Sequence, residues 1–267
     1  MTASNGDAAA LLDGLHEGER RIIVADDLQD LAHRAADLFA TLAGRAIGAN
    51  GRFSVALSGG ETPRTLFGLL ASPDYAGRID WANVHLYWGD ERHVPPDDAA
   101  SNYGMTRQVL LDRVPLPPAN VHRIQGELPA EEAAQRYEQE LRSSFGLGPG
   151  ELPRLDLVLL GMGDDGHTAS LFPGVALPSE PDHLVAAPWV PKFNAFRITL
   201  MPRVLNNAAI VAFLVAGAGK AGRLHEVIEG PPQPDNLPAQ RIAPSHGSLL
   251  WLVDRAAAAG LQGRPAQ

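Results

Sequence analysis

Residues 155–174 read LDLVLLGMGDDGHTASLFPG, an apolar strand running into a G-x-G-x-x-G at Gly161, Gly163 and Gly166. A dinucleotide-binding loop offers bare backbone N–H groups to a pyrophosphate. This loop places Asp164 and Asp165 in the turn and His167 directly after it, and two carboxylates repel a diphosphate. The one support for a dinucleotide is an acidic residue about 20 positions on, at Glu180 or Asp182. Both stand in a proline-flanked loop rather than at the end of a second strand. An Asp-Gly-His at the mouth of a strand-to-helix turn suits a general base instead. At a helix start His167 feels the positive end of the dipole, which favours a neutral ring ready to accept a proton. Asp165, two residues earlier, is placed to orient that ring. A helix-capping or core role is the ordinary one for a histidine, and the other histidines receive it.

Three further loops carry residues of the same kind. Ser58-Gly59-Gly60-Glu61-Thr62-Pro63 joins a strand to a helix amino terminus. Its small residues let the backbone approach a phosphate, Ser58 and Thr62 offer hydroxyls, and the helix dipole favours the anion. It lacks the terminal Gly-Lys-Ser/Thr of a P-loop, and a plain tight turn is as good a reading of this loop alone. Lys220 follows Gly217-Ala218-Gly219 at another strand end, where an ammonium can serve as a second phosphate contact. Together the two loops fit one phosphate, being too short to cradle a triphosphate. Asp90-Glu91-Arg92-His93 follows a third strand. Either carboxylate is a catalytic candidate and Arg92 a substrate contact, against the ordinary reading of a solvated charge run. No partner histidine stands at metal-ligand spacing, so no metal is expected there. A Ser-His-Asp hydrolase is disfavoured by the lack of a G-x-S-x-G elbow.

The elements that must position these loops are legible as periodicity. Strands are expected over 21–24, 53–57, 84–88, 155–160, 209–216 and 248–253, each an apolar run. Between them lie helical segments. One follows a cap at Asp26 or Asp27 and carries Leu28, Leu31, Ala35, Leu38, Leu42 and Ala46 as a buried stripe. Others are expected from Pro63 to Leu70, around 103–111, over 130–145, and from Lys220 to Glu229, stopped by Gly230-Pro231-Pro232. A short helix is expected behind the last strand. Apolar strands alternating with helices indicate an α/β fold: a doubly wound, mainly parallel, Rossmann-like sheet with helices on both faces. Room is left for a small accessory subdomain. In such sheets ligands bind at the carboxyl ends of the strands, so the loops after residues 57, 88, 160 and 216 should face one crevice.

The chain of 267 residues can bury a full core. Residues 19–261 are expected to form a single domain, with a loose amino-terminal segment at 1–18 and a tail at 262–267. Net charge is −9 with a pI near 5.4, which argues against nucleic acid or an anionic membrane as the main partner. There is no cysteine, so disulfides, thiolate metal sites and cysteine nucleophiles are excluded, and a reducing cytoplasm suits the chain. The first eighteen residues lack the pattern of a signal peptide. The longest apolar run, 208–218, falls well short of the ~20 residues that span a bilayer.

Taken together, the segments LSGGETP (57–63), WGDERHVPPDDAASNYGM (88–105), LDLVLLGMGDDGHTASLFPG (155–174), RITL (197–200), GAGKAGRLHEVIEG (217–230) and PAQRIAPSHGSLLWLVDRAA (238–257) resemble the 6-phosphogluconolactonase family. That family lies within the larger group of sugar-phosphate isomerase-like folds that includes glucosamine-6-phosphate deaminase. The deaminase pattern shares the serine-glycine loop, the Asp-Gly-His and the lysine. It differs in carrying Asn-Glu-Pro after the histidine, where this chain has Thr168-Ala169-Ser170-Leu171-Phe172-Pro173, and tyrosine in place of Arg92. The resemblance implies hydrolysis of 6-phospho-D-glucono-1,5-lactone to 6-phosphogluconate, a step of the oxidative pentose phosphate pathway, without cofactor or metal. It implies His167 as the base acting on water. The phosphate would lie on Ser58, Gly59, Gly60, Thr62 and Lys220, and Arg92 would contact substrate or developing charge. It leaves open the part of Asp90, any ligand role for Arg203, and which group orients His167, and it gives Asp164 none. A deaminase-type enzyme and a non-catalytic sugar-phosphate-sensing domain are the alternatives; the latter predicts an appended helix-turn-helix.

Overall fold

A computed structural model describes residues 5–178 and 182–262 of the chain. Glu180, residues 1–4 and residues 263–267 lie outside the described residues. Six strands form one parallel sheet: β1 (Arg20–Ala25), β2 (Phe53–Leu57), β3 (Val84–Trp88), β5 (Leu157–Leu160), β9 (Ile210–Val215) and β10 (Ser248–Asp254). Their order is β1-β10-β9-β5-β2-β3. Every residue of β2, β5, β9 and β10 is buried. Successive side chains point to opposite faces, so unbroken burial means that both faces are covered. This is why these strands read as continuous apolar runs rather than alternating ones.

The helices that cover the sheet start and stop where residue chemistry requires. Helix α2 (Leu28–Asn50) is capped by Asp27, whose carboxylate accepts from the backbone N–H groups of Gln29 and Asp30 at 2.8 and 2.9 Å. It ends at Gly51 with φ 76°. Its buried stripe includes Leu31, Ala35 and Leu38. Helices α3 (Glu61–Leu70), α5 (Asn102–Val109), α6 (Ala130–Phe145) and α8 (Ala221–Ile228) follow strands or their loops, and α4 (Pro73–Ala76) and α7 (Pro202–Leu205) are single turns. The segment behind β10, over Ala257–Gly260, is a 3-10 turn. No helix among the described residues is long and apolar enough to cross a membrane.

Three expectations change. The amino-terminal segment is not loose throughout, because α1 (Asn5–Asp13) packs on α2: Ala8 is buried, Leu11 and Leu12 join the core, and Arg45 donates to Asp13 Oδ1 at 2.8 Å. Asp90–Arg92 is neither a loop nor a solvated charge run. It forms β4 of a small antiparallel sheet with β6 (Val185–Ala186) and β8 (Ala195–Leu200), with β7 (Trp189–Val190) also pairing β8. This sheet occupies the room left for an accessory element. No helix starts at His167. The chain instead turns tightly, with Thr168 and Leu171 bridging each other and Ala169 at φ 45°.

From β2 the chain passes outward to β3, then returns across β2 to β5, β9 and β10. The direction of winding therefore reverses between β2 and β5. That is where a doubly wound sheet opens a crevice at its carboxyl edge.

Candidate active site

A cleft of about 390 Å³ opens there, lined by Ser58–Pro63, Asp90, Arg92, Gly161–Gly163, His167, Ala169, Leu214–Ala216 and Lys220. The loops after residues 57, 88, 160 and 216 thus meet at one place, as the parallel-sheet rule requires.

The glycines after β5 are arranged around a side chain. A methyl group at Gly163 would fall 2.0 Å from both Cε1 and Nδ1 of His167, so the imidazole lies where only glycine leaves space. Gly163 N–H donates to the His167 carbonyl at 2.9 Å, and Gly166, at φ 81°, closes the turn onto the Gly163 carbonyl at 3.1 Å. Gly161 has open space around it. Asp165 bends back so that Oδ1 meets His167 Nδ1 at 2.5 Å, and Lys192 Nζ donates to Oδ2 at 2.7 Å. Phe172 stacks on the ring with centroids 4.3 Å apart. Partial burial pushes the Asp165 carboxyl up, but the hydrogen bonds from Lys192 and His167 outweigh it and hold the group well below the usual carboxylate range. A carboxylate on Nδ1 selects the Nδ1–H tautomer and leaves Nε2 as the acceptor. Orientation of His167 therefore comes from Asp165 and Phe172 rather than from a helix dipole.

The charges of β4 divide by strand parity. Glu91 is 2% exposed and points away from the cleft to the start of α5. It accepts from the backbone N–H of Arg92, Asn102 and Tyr103 at 2.8, 2.7 and 2.7 Å and from Ser101 Oγ at 3.1 Å. Burial pushes its carboxyl up and those N–H groups pull it back in part. Glu91 anchors a helix and is not a catalytic candidate. Asp90 and Arg92 face the cleft. Asp90 Oδ2 accepts from Ser170 Oγ at 2.6 Å, and its Oδ1 and carbonyl accept from Asn102 Nδ2 at 3.2 and 2.9 Å. Asp90 therefore ties the histidine loop to α5. The Arg92 guanidinium donates to the Ala100 carbonyl at 2.6 Å. Arg197 lies opposite it in register on β8. Burial and the neighbouring Arg92 charge lower the Arg197 pKa, against the opposing pull of Asp90 and Glu91.

Across the cleft the serine-glycine loop ends in Gly60, at φ 109° and with no side-chain cap, so the first N–H groups of α3 have no side-chain acceptor there. Ser58 Oγ is buried and has no hydrogen-bond partner among the described residues. Buried hydroxyls are ordinarily paired, so one left unpaired beside an uncapped helix start is open to a hydrogen bond from outside the chain. Gly59 is required by packing: a methyl there would fall 1.8 Å from Asn102 Oδ1. Lys220 precedes α8 and pairs with Asp164 across the cleft mouth, and that hydrogen bond and charge hold the exposed Asp164 carboxyl below its usual range.

Of the candidate site residues, Ser58, Gly59, Gly60, Thr62, Asp90, Arg92, His167 and Lys220 line this cleft, whereas Glu91, Asp164, Asp165 and Arg203 do not, and Asp165 stands directly behind His167. Sequence reasoning did not single out Asn102, Ser170, Phe172 and Lys192, whose contacts span 5 to 80 positions. The one available signal was Gly59, whose lack of a side chain implied a close neighbour.

The model of the family described as glucosamine-6-phosphate isomerases/6-phosphogluconolactonase matches residues 26–251. A 6-phosphogluconolactonase from Nostoc sp. is 43% identical over 247 residues, covering 91% of this chain and 99% of that protein. One from Synechocystis sp. is 40% identical over 88% of this chain and 95% of its own length. The crystal structure of 6-phosphogluconolactonase from Thermotoga maritima superposes with a TM-score of 0.75 at 30% identity, over 89% of this chain and 100% of that one. This chain is therefore a member of the glucosamine-6-phosphate isomerase/6-phosphogluconolactonase family.

Proposed function

We propose that this protein hydrolyses 6-phospho-D-glucono-1,5-lactone to 6-phospho-D-gluconate in the oxidative pentose phosphate pathway. The observation that carries this reading is the Asp165–His167 pair at 2.5 Å, facing across one cleft the uncapped start of α3, Ser58 and Lys220. Both sides line the same cleft of about 390 Å³, which suits a sugar with a reacting carbonyl at one end and a phosphate at the other. His167 Nε2 takes a proton from water as the water oxygen attacks the lactone carbonyl. Arg92 supplies positive charge for the developing oxyanion. The tetrahedral intermediate collapses with cleavage of the bond to the ring oxygen, and His167 returns the proton to that oxygen. Ser58, the N–H groups of Gly59, Gly60 and Thr62, and Lys220 receive the phosphate, which displaces Asp164 from the lysine. Asp90, with both carboxylate oxygens engaged by Ser170 and Asn102, holds the two loops together and moves no proton.

Against a deaminase-type reaction stands the placement of the carboxylate that serves the histidine. Here it is Asp165, two residues before, and residues 168–178 contain no acidic side chain. The test is acid release from freshly generated lactone at mildly acidic pH, where background hydrolysis is slow. No rate above background with wild-type protein removes the lactonase reading.

A further inference from the structure

Lys192 belongs to none of the loops at the carboxyl edge of the main sheet. It sits on the 3-10 turn Pro191–Phe193 between β7 and β8, and Asn194, at φ 48°, turns the chain back into β8. From this hairpin tip Nζ reaches Asp165 Oδ2 at 2.7 Å, while Oδ1 of the same carboxylate meets His167 Nδ1 at 2.5 Å. The next residue, Phe193, packs edge-on against Phe172 with centroids 5.5 Å apart, and Phe172 stacks on His167. One short turn of the small sheet therefore touches the histidine both through charge and through aromatic packing. Lys192 does not itself line the cleft.

We propose that Lys192 is a positioning residue for the lactonase reaction: by holding one oxygen of Asp165 it fixes the other against His167 Nδ1 and so aims Nε2 at the substrate carbonyl. The proposal rests on His167 as the base. Without Lys192 the carboxylate is held through Oδ1 alone, by His167 Nδ1 and the His167 backbone N–H at 3.2 Å, and can rotate about Cβ–Cγ, whereas a cation on the second oxygen fixes which one faces the imidazole. The ammonium also offsets the negative charge of Asp165 beside the ring. As a surface ion pair with the lysine more than half exposed, the contact adds little to stability, so its effect falls on the chemistry.

Wild type, Lys192→Met, Lys192→Arg and His167→Ala are to be assayed on fresh lactone from mildly acidic to neutral pH. In Lys192→Met, kcat falls on the order of tenfold, KM stays within about twofold, and the acid limb of the rate profile moves to higher pH. Lys192→Arg restores both rate and limb. If Lys192→Met leaves kcat and the limb unchanged while His167→Ala is inactive, the positioning role is overturned and the base assignment stands. A rise in KM at constant kcat makes Lys192 a substrate contact and also overturns it. A kcat loss that arginine does not rescue, or that leaves the limb in place, marks a purely structural contact and does the same. A fully active His167→Ala removes the base reading, and this proposal with it.

Discussion

Two glycine-rich loops flank the cleft, after β2 and after β5, and they differ in what comes next. Beyond Ser58-Gly59-Gly60 the chain enters α3, a ten-residue helix whose start has no side-chain cap. Beyond Gly161-Met162-Gly163 it enters no helix, and the turn closes on itself through Gly166. The first loop can offer aligned N–H groups and a dipole to an anion. The second has no dipole to offer, and its glycine spacing makes room for an imidazole. A glycine motif thus acquires its chemistry from the element that follows it and from the side chain that occupies the space.

The largest effect that would sharpen this contrast is in His167→Ala, for which kcat on the fresh lactone should fall by about 10²–10⁴-fold with the fold retained. Near-normal turnover would break it. Next is Gly163→Ala, whose methyl would meet the ring 2.0 Å away. Displacing the base should lower kcat on the order of 100-fold at similar KM, whereas Gly161→Ala, which lines the cleft but meets no atom within 4 Å, should leave the imidazole in place and cost far less in kcat. If both glycines respond alike, the loop's role is in its backbone and not in its clearance of His167. On the other side, Lys220→Ala should raise KM roughly tenfold or more by removing one charge-assisted contact to the phosphate. An unaltered KM would take the lysine out of the anion site.

The smallest effect is on stability. The Asp165 carboxyl is held below its ordinary pKa of 3.8 in the folded chain. Its stabilisation is therefore complete above that value and is lost as pH falls through the lowered folded one. Urea midpoints of wild type and Asp165→Asn should differ modestly at neutral pH and converge in strong acid. A difference that grows on acidification contradicts the sign.

Much of the scaffold is written locally. The strands 53–57 and 84–88 and the helix 130–145 have the same bounds in sequence pattern and structure, since each is an apolar run or stripe bounded by turn residues. The small sheet was not legible, because β6 and β7 are two residues each and β4 is three charged residues with no β-forming pattern. What makes them strands is β8, which lies about a hundred positions from β4. The residues that chemistry favours in the site, His167, Ser58, Arg92 and Lys220, stood out by type and position. Those that hold them, Asn102, Ser170 and Lys192, are ordinary polar residues whose partners are set by tertiary contact alone. The helix expected at His167 failed for a related reason: Gly166 and Phe172 are engaged in closing the turn and covering the ring.

Gly89 has a consequence for how this enzyme can change. Its N–H donates to Leu57 of the main sheet at 2.8 Å and its carbonyl accepts from Leu200 of the small one, also at 2.8 Å. One residue thus sets the phase between two sheets, and the alternation that follows sends Asp90 and Arg92 into the cleft and Glu91 to α5. A single residue inserted between 88 and 90 would exchange the two sets, placing the helix anchor in the cleft and the two cleft charges under the helix. The loops around Pro95 and Pro117 can lengthen in evolution or in the laboratory without touching this phase. The two residues between Trp88 and Glu91 are a spacing that tolerates substitution more readily than any change in length.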